Sequence, residues 1–176
     1  KKLAEKMLKL IPNLNSLEHY ILSLLRDRNL LPGDDVVVMV VNAGEMDLLA
    51  NFACSCKANQ ISMRNVMVFS GSDDVIPLIE SFGAMGVHHS ASFAHVSRNA
   101  SYEYLDRIFI DMMWYKAFSV WLLLKLDYNV LFQDVDLVWY RDPVQYFRTA
   151  SNLPAPDDSA AESPFQQGGF TALAEN

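Results

Sequence analysis

Apolar and polar positions alternate in two distinct rhythms along this chain. In "KKLAEKMLKLIPNLNSLEHYILSLLRDRNL" (Lys1–Leu30) the apolar residues recur at helical spacing with charges on the opposite face, which predicts an amphipathic pair of helices that dock on a larger body. "PGDD" is a turn, and "VVVMVV" (Val36–Val41) is a β-branched run of the kind found in strands buried on both faces. "NAGE" follows as a capping signal: Asn42 can accept from backbone N–H groups just inside a helix, with Glu45 three positions on. The ensuing helix is expected to turn Leu48, Leu49, Phe52, Ala53 and Cys56 to one face.

"NVMVFSG" (Asn65–Gly71) predicts a second strand, and "SDDVIPLIESFG" a helix with Pro77 in its first turn and Gly83 as its stop. "GVHHS" reads as a short third strand, and Ala91–Ser101 as a loop long enough to be a candidate functional segment. A long helix over Tyr104–Leu126 is rich in Met, Trp and Phe, with Trp114, Trp121 and its methionines expected in the core. It leads through "DYN" into the strand "VLF". Strand, helix and strand in repetition predict an α/β fold with a mostly parallel sheet covered by helices on both faces. Ligands gather at the carboxyl ends of such strands, so Asn42, the Ser70–Gly71 turn, His88–His89 and Asp134 are expected at one edge. The composition then changes: "SNLPAPDDSAAESP" has no periodicity and reads as a loop. The division this suggests is an N-terminal helical segment, 1–35, and an α/β domain, 36–176, incomplete at its C-terminus.

Charge narrows the range of partners. With 14 Lys+Arg against 21 Asp+Glu the formal net charge is −7, and no basic tract offers a nucleic-acid surface. An anionic ligand would need a local device such as a metal ion, a lysine or a helix N-terminus. No apolar run reaches the roughly 18–20 residues that a membrane span requires. The chain begins on Lys1 and ends in "FTALAEN", which reads as a segment of a longer protein. Cys54 and Cys56, two positions apart in a predicted helix, face nearly opposite ways and are expected as buried free thiols rather than a disulfide. "NAS" at Asn99–Ser101 fits the N-glycosylation pattern.

The chemistry concentrates in "VLFQDVDLVWYRDP" (Val130–Pro143). Asp134 and Asp136 follow a buried strand and, in extended backbone, point to the same side. Two like charges so placed repel unless a cation lies near them, and carboxylate oxygens suit hard ions such as Mg²⁺ or Mn²⁺, which take one or two carboxylates plus substrate phosphates. Lys116, set among Trp, Tyr and Phe, either lays its stem over apolar surface or carries its ammonium toward a diphosphate. His88, His89 and His95 show no metal-ligand spacing and read as surface or core residues.

The string "DYNVLFQDVDLVWYRDPVQYF" closely resembles the nucleotide-diphospho-sugar transferase domain of the arabinosyl-, xylosyl- and galactosyltransferases of plant and algal cell walls. "VVVMVVNAGEMDLLANFACSCK" and "MWYKAFSVWLLLKL" resemble the same family's first strand and helix and the helix before its aspartates, so the likeness runs from Val36 to Phe147. It implies a GT-A fold and transfer of a sugar, with retention of anomeric configuration, from a UDP-sugar donor to a glycan or glycoprotein acceptor. It further implies Mn²⁺ or Mg²⁺ held by Asp136, with Asp134 touching the ribose or the metal, and Asn42 and Ala43 lining the uracil and ribose pocket. A Golgi-lumen location follows from the same likeness, in a type II protein anchored outside this segment. The family's Asn-Ser-Gly-Phe-like motif has its nearest equivalent in "QQGGF". Gly168 and Gly169 are thereby donor-binding candidates, and Gln167, where Asn is expected, and Asp158 catalytic candidates. Two rival readings are a degenerate, non-catalytic transferase acting as a scaffold, and a haloacid-dehalogenase-like phosphatase with Asp134 as nucleophile. The latter's motif normally opens its domain, with Lys and Asp motifs still to follow, for which too little chain remains.

Overall fold

The computed structural model describes residues 11–93, 97–99, 101, 103, 106–151 and 173–174. In chain order the elements are α1 (Leu14–Asp27), β1 (Asp35–Val41), α2 (Met46–Ala58), β2 (Val66–Ser70), α3 (Ile76–Ser81), β3 (Met85–Val87), α4 (Ser90–Phe93), α5 (Arg107–Lys125), β4 (Asn129–Phe132), α6 (Pro143–Ser151) and β5 (Leu173–Ala174). The sheet order is β3-β2-β1-β4-β5. The first four strands are parallel, with Val37 opposite Val66 and Leu131, and Met67 opposite Met85; the two-residue β5 joins β4 antiparallel. This α/β sheet is the Rossmann-like architecture that the strand–helix rhythm predicts.

The continuous apolar run of β1 fills two cores, one on each face, because successive side chains leave a strand on opposite sides. Val36, Val38 and Val40 join Leu17, Ile21 and Leu25 of α1 and Tyr115, Phe118, Leu122 and Leu123 of α5. Val37, Met39 and Val41 join Leu49, Phe52 and Cys56 of α2, Ile79 of α3, and Val135, Trp139 and Val144. The four-residue spacing in α1 is that of one helical face, and α1 packs into the same core as the first strand. The first member of the expected N-terminal helix pair falls on residues 1–10, outside those described.

Several expectations are corrected in detail. Leu48 is exposed rather than on the buried face of α2, where Met46 takes its place. The third strand is Met85–Val87, so His88 and His89 lie just beyond it. The expected loop from Ala91 overlaps a short helix at Ser90–Phe93. Trp121 and Met113 on α5 are exposed, because only the face carrying Met112, Tyr115, Ser119 and Leu122 meets the sheet. Cys54 is exposed while Cys56 is buried, as opposite faces of one helix require. Gly83, at φ +91, ends the turn after α3 in the left-handed region that glycine enters without Cβ strain.

Candidate functional site

Each parallel strand ends at the same edge of the sheet, and the residues that follow are Asn42, Gly71, His88 and Gln133. The edge is stitched together by short contacts. His88 Nδ1 lies 3.0 Å from the Ser70 carbonyl oxygen, and the Tyr115 hydroxyl donates to that oxygen at 3.4 Å. His89 contacts Ser92 Oγ at 2.9 Å and Ser16 Oγ at 3.3 Å, and burial, with help from His88, lowers its pKa. These histidines are occupied in tying α1, β2 and the β3–α4 connection together. The Ser72 hydroxyl is buried here with no hydrogen-bond partner among the described residues.

Asn42 builds the turn after β1. Its side-chain oxygen accepts from Gly44 N–H at 3.0 Å, its own N–H donates to Glu45 Oε2 at 3.1 Å, and its side-chain amide donates to the Asn99 carbonyl at 2.8 Å. This is the capping box anticipated from "NAGE", although the turn it opens is a short 3-10 helix over Ala43–Glu45 that leads into α2. Asn42 has no exposed surface, and Ala43 is half-buried beside it. Residues 98 and 99 lie across this turn, since Gly44 N–H also donates to the Arg98 carbonyl and the Arg98 side chain pairs with Asp74.

The paired acids sit differently from the extended geometry expected of them. β4 ends at Phe132; Gln133 N–H still donates to the Val38 carbonyl at 3.1 Å, after which the chain turns through residues 135 and 136. Val135, 6% exposed, anchors that turn in the core between α2 and the sheet. Asp134 and Asp136, flanking it, are both exposed. The two carboxylates therefore keep their hydration, and the turn does not carry the penalty of a buried charge. Downstream, Trp139 closes the turn onto α2. Its ring meets Phe52 edge-on at 5.0 Å, its backbone N–H donates to Ser55 Oγ at 3.2 Å, and its backbone carbonyl accepts from Asn59 Nδ2 at 3.0 Å.

Lys116 reaches this turn from α5. Its ammonium pairs with Asp134, the lysine side chain being 19% exposed and the aspartate 54%. Glu45, which sequence reasoning used only as a capping residue, completes the group. Burial raises its pKa, the Asn42 N–H and Lys116 oppose that rise, and the charges of Asp134 and Asp136 add to it. The signal for its place was present in "NAGE", but its proximity to residues some ninety positions later was not. The cluster thus holds Glu45, Lys116, Asp134 and Asp136 at the carboxyl end of β1 and β4. Among the described residues no three His, Cys, Asp or Glu side chains form a preassembled metal cage. Asp158, Gln167, Gly168 and Gly169 lie outside the described residues, as does His95.

The parallel Rossmann-like sheet flanked by helices is that of a GT-A nucleotide-sugar transferase domain. The chain itself carries the more particular signature: the family model described as nucleotide-diphospho-sugar transferase matches residues 82–168, just under half of the chain. Glycosyltransferase activity is what this match supports in general terms. Lys116, Asp134 and Asp136 fall inside the matched stretch, as do Asp158, Gln167 and Gly168; Asn42, Ala43, Glu45 and Gly169 fall outside it. No curated protein matches the chain, and no solved structure does. Among the described residues no helix is long and apolar enough to cross a membrane.

Proposed function

We propose that this domain transfers a sugar from a UDP-sugar donor to a glycan or glycoprotein acceptor, with retention of anomeric configuration, using Mn²⁺ or Mg²⁺ held by Asp136 and Asp134. The observation that carries the reading is the exposed acid pair, set immediately beyond a parallel strand and facing Lys116 and Glu45. Its donor set fits the ion: two hydrated carboxylates supply hard oxygen ligands and leave positions for diphosphate oxygens, the usual manner in which such ions are held. When bound, the cation would neutralise charge on the leaving diphosphate, a contribution worth several kcal/mol in the transition state.

The chain's own residues divide the remaining work. Asp136, free of the Lys116 pair, is the firmer ligand; Asp134 shares itself between lysine and metal or ribose. Lys116 lies close enough to the acids to bear on a diphosphate bridged to them. Asn42 acts as a positioning residue, because both polar ends of its side chain are spent on Gly44 and Asn99; the backbone of Ala43 is then what it offers to the nucleoside. The family likeness alone supports the retaining outcome, the lumenal Golgi setting and roles for Gly168, Gly169, Gln167 and Asp158.

The deciding experiment is calorimetric titration of UDP with and without Mn²⁺ on the wild type and on Asp136→Ala. Binding that needs Mn²⁺ in the wild type and is lost in the variant, with the far-ultraviolet dichroism unchanged, is the expected result. Persistence of Mn²⁺-dependent binding in Asp136→Ala would overturn the metal assignment. A wild type that binds no UDP at all would favour the scaffold reading. Donor hydrolysis assayed across UDP-sugars then identifies the sugar, and the product anomer, read by nuclear magnetic resonance, tests retention.

A further inference from the structure

We propose that Lys116 is a resident counter-ion that exchanges with the divalent cation: it holds Asp134 while the site is empty, then yields that carboxylate to the metal and turns to the incoming diphosphate. The inference rests on the donor-site reading above and adds an ordered exchange to it. With its side chain only 19% exposed, Lys116 is best held by an ion partner, since a desolvated unpaired charge is costly. Its partner is Asp134, and Glu45 and Asp136 lie near enough that their charges and its own act on one another.

The local charge states the need. Three carboxylates (Glu45, Asp134, Asp136) and one ammonium sum to −3 + 1 = −2, the charge that one divalent cation cancels. Lysine and cation on the one carboxylate repel each other, so the arrival of the cation weakens the hold of Lys116 on Asp134. The pair is easy to open: with Asp134 54% exposed, water takes over its hydration as the lysine leaves. A diphosphate brought in by the cation supplies new anionic oxygens for the ammonium, which is a compact point charge on a flexible stem and can follow them. The main chain beneath stays fixed, for Lys116 sits inside α5 between the buried Tyr115 and Ser119, and the Ser119 hydroxyl donates to its carbonyl at 2.9 Å.

Exchange makes a prediction of opposite signs that a merely structural lysine would not. In Lys116→Met, Mn²⁺ alone should bind about five- to tenfold more tightly than in the wild type, because a unit charge near the ligands has gone. UDP in saturating Mn²⁺ should bind about tenfold more weakly, because a phosphate contact has gone. Lys116→Arg keeps the charge and should leave Mn²⁺ affinity near the wild-type value. Both affinities are read on the full chain, Mn²⁺ by electron paramagnetic resonance of the free ion and UDP by calorimetry. A thermal melt confirms that each variant is folded; should Lys116→Met not fold, Lys116→Gln serves in its place. A Lys116→Met protein that binds Mn²⁺ no more tightly, or binds Mn²⁺–UDP as well as the wild type does, overturns the exchange. If the wild type fails to bind Mn²⁺–UDP, the donor-site reading falls and the exchange falls with it. A normal wild type with an unaffected variant removes the exchange alone.

Discussion

Trp139 lies three residues beyond Asp136 and secures the turn that carries both acids, so its removal should be felt in stability and in ligand binding together. The indole is 8% exposed and packs edge-on against Phe52, with ring centroids 5.0 Å apart and planes at 86°. Truncating a buried tryptophan to alanine costs about 3–5 kcal/mol, the transfer term plus the cavity left behind. Of that, the aromatic pair with Phe52 should account for about 0.5–1.5 kcal/mol. Against a typical domain stability of about 5–15 kcal/mol, the variant should stay folded but unfold at a clearly lower denaturant concentration. The assay is urea denaturation of wild type and Trp139→Ala, with Phe52→Leu, Trp139→Leu and the double leucine variant for the coupling. The coupling between the two rings should be positive, and Trp139→Ala should weaken Mn²⁺-dependent UDP binding about tenfold, because Val135 then anchors the acid turn alone. A Trp139→Ala loss below about 1 kcal/mol, or a strongly destabilised variant with unaltered ligand binding, would refute the claim that this ring positions the acids.

Two further expectations concern groups whose burial decides their behaviour. Cys54 should react with an aromatic disulfide reagent in the native protein at pH 8 while Cys56 stays silent until urea unfolds the chain. Cys56 is buried and its pKa is pushed up to about 11, chiefly by burial, so little of the reactive thiolate forms; peptide mapping of the labelled protein checks this, and equal labelling of both would contradict it. Glu45→Gln should be no less stable than the wild type at neutral pH in the presence of a chelator, since the amide oxygen still accepts from Asn42 N–H and carries no charge to bury. Because the folded state raises the Glu45 pKa, its penalty is present above that pKa and relieved as pH falls through it. The stability gap between variant and wild type should therefore be widest near neutrality and close toward acid pH in urea titrations; a gap that widens in acid would refute this.

Much of the architecture was legible in the one-dimensional pattern. "VVVMVV" could only be a strand covered on both sides, and the two cores that share β1 are the direct result. Pro77 and Gly83 bounded α3 by local stereochemistry, and the Asn42–Glu45 capping box was a local hydrogen-bond pattern that the tertiary fold had no reason to overrule. Where the reading slipped, the cause was packing. Trp121 and Met113 look like core residues by type, yet α5 presents only one face to the sheet and they lie on the other. Cys54 was misplaced for the same reason.

The sequence by itself determined the strand order in time, the caps, the acids at the end of a strand and the family whose model matches residues 82–168. Those features depend on neighbours within a few positions or on a contiguous string. Only the tertiary structure decided that the acids sit in an exposed turn rather than an extended strand, that Lys116 pairs with Asp134, and that Glu45 shares the field of both acids. These are consequences of parallel strand pairing, which sets Phe132, the last residue of β4, opposite Val38 of β1, so that the residues following both strands lie at one edge. The strand–helix rhythm predicts that these strand ends share one edge, but which side chains meet there is decided only by the packing, because groups so far apart in sequence interact only after the sheet has formed.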